Sequence, residues 1–130
     1  MINHRIMETE GILVLEPSAA LSVEDFRDLA SSVDAYLAEH PILHGMLIHA
    51  QHFPGWESFA GLTAHLRFVR DHHRKIERIA VVTDSPLGTV APALAKHFVS
   101  AQIRGFAYSE FEEALLWLKS NASGSTETGN

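Results

Sequence analysis

The order of apolar segments along this chain restricts its fold more than any other feature. Two short apolar runs open it, His4–Glu8 and Ile12–Glu16, and stretches with helical spacing then alternate with further short apolar runs. Such alternation builds a small α/β domain with a mostly parallel sheet. Glu10-Gly11, between the first two runs, suits a tight hairpin turn. Ile12-Leu13-Val14-Leu15 is apolar on both faces and therefore belongs inside the sheet.

The helices carry their own punctuation. Ser22 with Asp25 three residues on is a capping box, and Glu24 and Asp25 favour the positive end of a helix. Phe26, Leu29, Val33 and Leu37 form one stripe, and Pro41 stops the helix. Gly45–Ala50 reads as the next strand, followed by the loop from Gln51 to Glu57. A second helix is expected from about Ser58 to Lys75, with Phe59, Leu62, Leu66 and Val69 inward and Arg67, Arg70, His72, His73, Arg74 and Lys75 outward. Ile79–Val82 is a buried strand ended by Thr83-Asp84-Ser85-Pro86, and a third helix is expected over about Thr89 to Val99 with Pro92 in its first turn. Gln102–Phe106 is the last strand. Ser109 and Glu112 form a second capping box, and the final helix buries Phe111, Ala114, Leu115 and Leu118.

Bulk properties fit one domain, over residues 1–120, with a polar disordered tail over 121–130. A chain of 130 residues with 46% hydrophobic content has one core. Its net charge of −6 argues against nucleic acid, because a phosphate backbone needs a dense cationic face. The chain has no cysteine, which excludes disulfides and thiolate metal sites and suits a cytoplasmic protein. No apolar run is long enough to cross a membrane, so no integral membrane role is expected.

Several motifs in this order resemble the SpoIIAA-like family. They are the opening hairpin, Leu21-Ser22-Val23-Glu24-Asp25-Phe26, Phe53-Pro54-Gly55-Trp56, Glu77-Arg78-Ile79-Ala80-Val81-Val82-Thr83-Asp84, and Phe111-Glu112-Glu113-Ala114-Leu115-Leu116-Trp117-Leu118. The resemblance implies a single STAS-like domain with a five-stranded mixed sheet and four helices. It also implies a bacterial protein that binds rather than catalyses. Anti-sigma-factor antagonists of this fold carry a phosphorylatable serine in an Asp-Ser-Ser/Thr-Gly turn at the start of the second helix. Here the stretch reads His52-Phe53-Pro54-Gly55-Trp56-Glu57-Ser58, with no Asp-Ser dipeptide, and Ser58 is expected to be a helix cap rather than a phosphosite.

The candidate ligand or partner residues are His49, His52, Phe53, Trp56, Ser58 and Asp84, grouped at the carboxyl ends of parallel strands, where α/β sheets bind ligands. The simpler reading makes Phe53 and Trp56 a cover for the sheet edge and Asp84 a turn cap. Nine histidines invite a metal, but His72 and His73 are adjacent on a helix and diverge, and His65 and His72 are about 10 Å apart along one. No metal, cofactor or catalytic residue is therefore expected. The expected function is a non-enzymatic module binding a partner protein or a small apolar ligand. One alternative is a lipid carrier resembling CRAL-TRIO domains, with a tunnel under the second and third helices; another is a small hydrolase using His52, Ser58 and Asp84. The large rings between Phe53 and Phe59 further suggest a homodimer that covers them.

Overall fold

The computed structural model describes residues 1–52, 55–84 and 102–120. Phe53, Pro54, the helix expected over 89–99 and the tail at 121–130 lie outside the described residues, as do the side chains of Phe59 and His73.

Five strands form one mixed sheet: β1 (Ile2–Met7), β2 (Ile12–Pro17), β3 (Leu43–His49), β4 (Ile76–Val82) and β5 (Gln102–Phe106). Three α-helices accompany them among the described residues: α1 (Val23–Leu37), α2 (Phe59–His72) and α3 (Phe111–Lys119). The strands stand in the sheet in the order in which they occur in the chain. β1 and β2 pair antiparallel with Ile6 opposite Leu13, and every later pair is parallel. The hairpin turns at Gly11, whose φ of 69° is easy only for glycine, and the Gly11 N–H donates to the Met7 carbonyl.

Side-chain alternation along the strands divides the core in two. Leu13 and Leu15 of β2, Met46 of β3 and Ile79 and Val81 of β4 pack with α1 and α2. Ile12, Val14, Leu47, Ala80 and Val82 face the other way and pack with Ala114, Leu115 and Leu118 of α3. Both faces of residues 12–15 in β2 and 79–82 in β4 are buried, which is why those stretches are apolar throughout. Gly45 of β3 admits α3 to close contact: a Cβ there would lie 2.8 Å from a methyl of Leu118.

The first helix begins as its sequence requires. The Ser22 N–H donates to the Asp25 carboxylate at 2.8 Å and the Asp25 N–H to the Ser22 hydroxyl at 3.2 Å. Three expectations need correction. The box at Ser109 and Glu112 does not form; α3 starts after Glu110, whose carboxylate instead accepts the Ala107 N–H at 2.8 Å and closes the preceding turn. The second helix ends at His72 and tightens into a 3-10 turn over His73–Lys75. Its inward stripe is rotated from the expected one: Phe68, Val69 and His72 are buried, whereas Leu66 is exposed.

Candidate functional site

The residues singled out in the sequence fall into two clusters. The first lies at the carboxyl ends of β3, β4 and β5. There His49 stacks on Tyr108 with ring centroids 4.5 Å apart, its Nδ1 3.5 Å from Glu16 Oε2. Asp84 ties the strand ends together: its Oδ1 accepts the Tyr108 N–H at 3.2 Å, and its own N–H donates to the Gln51 carbonyl at 3.1 Å. The Thr83 hydroxyl donates to the same carbonyl. His52 is exposed beside this cluster.

The second cluster opens α2. Residues 55–57 run beside Leu21 as a short parallel bridge, with the Leu21 N–H donating to Gly55 O and the Glu57 N–H to Leu21 O, each at 2.8 Å. This bridge fixes the start of α2 against the start of α1. Ser58 caps α2, its hydroxyl accepting the Gly61 N–H at 3.2 Å. Trp56 is 38% exposed, and its indole N–H donates to His65 Nδ1 at 3.1 Å. Among the described residues no hydrogen bond joins His52, Ser58 and Asp84; the last two are engaged on separate elements.

Strand order explains the character of the strand-end cluster. Open α/β sheets form a ligand crevice where the strand order reverses. The five described strands run in chain order without reversal, and the residues just beyond β3, β4 and β5 (Gln51, Asp84 and Tyr108) bond to one another.

Among the described residues a concavity lies along the seam of α1 and α2. Rings follow this seam in sequence: Trp56 near His65, His65 stacked on Phe26 at 4.8 Å, Phe26 near Phe68 at 6.4 Å, and Phe68 on His72 at 4.3 Å. Between the helices opens a groove of about 230 Å³. Phe26, Ala30, Ala64 and Phe68 line its apolar part, with Arg27 on the α1 bank and Arg67 on the α2 bank. Asp71 and His72 also line it.

His72 is the residue that the sequence misplaced. It was expected on the outer, basic face of the helix, but it is 6% exposed. Its Nδ1 lies 2.8 Å from the Phe68 carbonyl and its Nε2 2.8 Å from Asp34 Oδ1. A ring N–H that donates to one of these oxygens lets an imidazole act as a core side chain. The signal was present in the spacing, since His65, Phe68 and His72 share one helical face.

On the opposite face of the sheet, Arg78 is buried against Trp117, its guanidinium 5.2 Å from the ring. It donates to the Trp117 carbonyl at 2.7 Å and to the Ser120 hydroxyl, capping the negative end of α3. Among the described residues no group of three or more His, Asp or Glu side chains is placed to hold a metal ion. No helix among the described residues is long and apolar enough to cross a membrane.

Comparison with known proteins agrees with this architecture. A match to the SpoIIAA-like family spans residues 12–119, from β2 to the last residue of α3. The chain belongs to the SpoIIAA-like family. Among solved structures, this SpoIIAA-like chain is similar to the crystal structure of an uncharacterized protein of the DUF3478 family with a SpoIIAA-like fold, from Shewanella loihica PV-4. The two are 21% identical, the alignment covers 91% of this chain and 92% of the other, and the TM-score is 0.69. That likeness supports the shared fold. No curated protein matches the sequence.

Proposed function

We propose that this SpoIIAA-like protein is a non-catalytic binding module whose ligand, a small molecule with an apolar body, lies in the seam between α1 and α2. One observation carries the reading: the seam is an open groove floored by rings and methyl groups, with an arginine among the lining residues of each bank. Apolar lining with a few polar groups at the rim is the composition of a small-molecule site. The groove's 230 Å³ is below the roughly 300–1,000 Å³ of sites for drug-sized ligands, so the ligand is small. Trp56 stands at one end of the ring series and joins the expected binding residues to the groove.

Binding rather than hydrolysis also suits the commitments of the polar groups. Ser58 Oγ accepts a helix N–H, and the Asp84 carboxylate accepts a backbone N–H from the turn after β5. A nucleophile needs a base within hydrogen-bonding reach. A lipid-carrying role like that of CRAL-TRIO domains is a special case of this reading, in which the retained ligand is an acyl chain.

Native mass spectrometry of protein purified from its own host tests the proposal. The expected result is a retained small molecule that is absent from an Ala64→Leu variant, in which the added branch fills the groove. Retention unchanged by Ala64→Leu, in a variant with parental thermal stability, moves the site away from the seam. Bare protein from the host, together with no binding to any of the octyl compounds named below, refutes a small-molecule module.

A further inference from the structure

We propose that the seam is selective for organic monocarboxylates, with the carboxylate held between Arg27 and Arg67 and the apolar body laid along Phe26 and Phe68. This assignment rests on the binding reading above and adds the chemical class of the ligand.

The two arginines stand on opposite helices of one groove. Arg27 follows Phe26 on α1, Arg67 precedes Phe68 on α2, and both arginines line the same groove. Both are exposed. Among the described residues neither guanidinium makes a salt bridge or a hydrogen bond; the same holds for Arg74, Lys75 and Lys119, but only Arg27 and Arg67 of these line the groove. A lack of acids does not explain this: Asp and Glu number 16 against 10 Lys and Arg. Two cations left unneutralised on facing banks of one groove, in a chain of net charge −6, are complementary to an anion.

The other polar groups of the groove narrow the choice of anion. The Asp71 carboxylate lines it too, with one oxygen 3.0 Å from Arg70 Nε. Arg70 offsets that charge, so the net field of the groove is that of Arg27 and Arg67, and the two planar guanidiniums favour a carboxylate by geometry rather than by charge number. His72 offers no further donor, since both its ring nitrogens are engaged by Phe68 O and Asp34 Oδ1. Guanidinium forks match a carboxylate in two-pronged geometry, and apolar walls on one side strengthen the attraction over its value in open water. The floor of Phe26, Ala30, Ala64 and Phe68 leaves the rest of the ligand no polar partner, so that part is hydrocarbon or aryl.

The experiment is a calorimetric and NMR titration with octanoate, 1-octanol, octyl phosphate and octylammonium. It uses the parent, Arg27→Gln, Arg67→Gln and the double variant. The exposed positions leave folding intact, which thermal melts verify. Octanoate should bind most tightly, with chemical-shift changes along the seam. The double variant should lose at least about tenfold in octanoate affinity, the loss expected for charge-assisted hydrogen bonds, while 1-octanol stays unchanged. Equal affinity for octanoate and 1-octanol in the parent overturns the carboxylate assignment and leaves the groove reading standing. Tighter binding of octyl phosphate than octanoate overturns the carboxylate preference, and octanoate affinity unaltered in the double variant overturns the role of the two arginines. Cosedimentation with phosphatidylglycerol vesicles that depends on Arg27 and Arg67 and resists octanoate competition assigns the pair to a membrane surface instead. If none of the four compounds binds, the monocarboxylate assignment falls, and if the host protein is also bare the groove reading falls with it.

Discussion

Single side chains show how local chemistry is converted into fold, and Asp25 is the clearest case. Burial pushes its carboxyl pKa up, but hydrogen bonding from the backbone and side chain of Ser22, with the Met1 ammonium 3.2 Å away, outweighs that and holds it below the ordinary 3.8. A carboxylate whose pKa is depressed in the folded state stabilises the protein fully above its unfolded value. The contribution is lost as pH falls through the folded value. The stability of the parent should therefore decline below pH 3.8 more steeply than that of Asp25→Asn, which keeps the side-chain shape without the titration. Urea midpoints measured across the acid range decide this; identical acid limbs would refute it. Ser22 and Asp25 were legible in the sequence because the capping box is a short-range pattern whose two hydrogen bonds stay within four residues. His72 was legible only in part: its spacing with His65 and Phe68 put it on a shared face, but its partner Asp34 is on another helix, and a histidine in a run of arginines gives no local sign of it.

At the scale of elements, the strands were read most accurately. Residues 12–15 of β2 and 79–82 of β4 are apolar on both faces, and the bounds of the two strands differ from the expected ones by only a few residues. Val81 lies in the middle of the sheet, opposite Ile48 on one side and Gly105 on the other, and packs into the core beneath α1 and α2. Val81→Ala should cost about 1–3 kcal/mol through lost burial and a small void. A denaturant midpoint equal to the parent's would contradict that placement. The helix α2 was harder to orient. A stripe through Leu62, Leu66 and Val69 and one through Ala64, His65, Phe68 and His72 both recur at helical spacing, and a step of one residue turns the helix by about 100°. Hydropathy favoured the leucines. Packing against α1 chose Phe68 and His72 instead, and so set which residues line the groove. The groove was therefore invisible in the sequence, although Arg67 had been noticed as part of a basic run.

At the scale of the whole molecule, two large apolar side chains among the described residues of the Trp56–α2 region lie partly in solvent: Trp56 at 38% and Leu66 at 39% exposure. We propose that a second copy covers them in an isologous interface, since closed two-fold dimers are the commonest assembly of soluble proteins. Light scattering should report a dimer for the parent and a shift toward monomer for Trp56→Asp, which would place a charge inside the contact. A parent that is monomeric at micromolar concentration would end the proposal.

The succession of strands in chain order also bears on how the molecule is made. Each strand after the first adds beside the one just before it, so its backbone partners already exist when it emerges from a ribosome. Domains assemble from the N-terminus during synthesis, and pairing of neighbours keeps each loop closure short. β1 and β2 can close as a hairpin first, and β3 and β4 extend a template whose next edge is open. The exception is α3, the last described element, which must travel back to the middle of the sheet to seat Leu118 over Gly45 and to receive Arg78 at its carboxyl end. Until it does, the face carrying Ile12, Val14, Leu47 and Val82 lacks its α3 cover, and the nascent chain is most prone to aggregate in that interval.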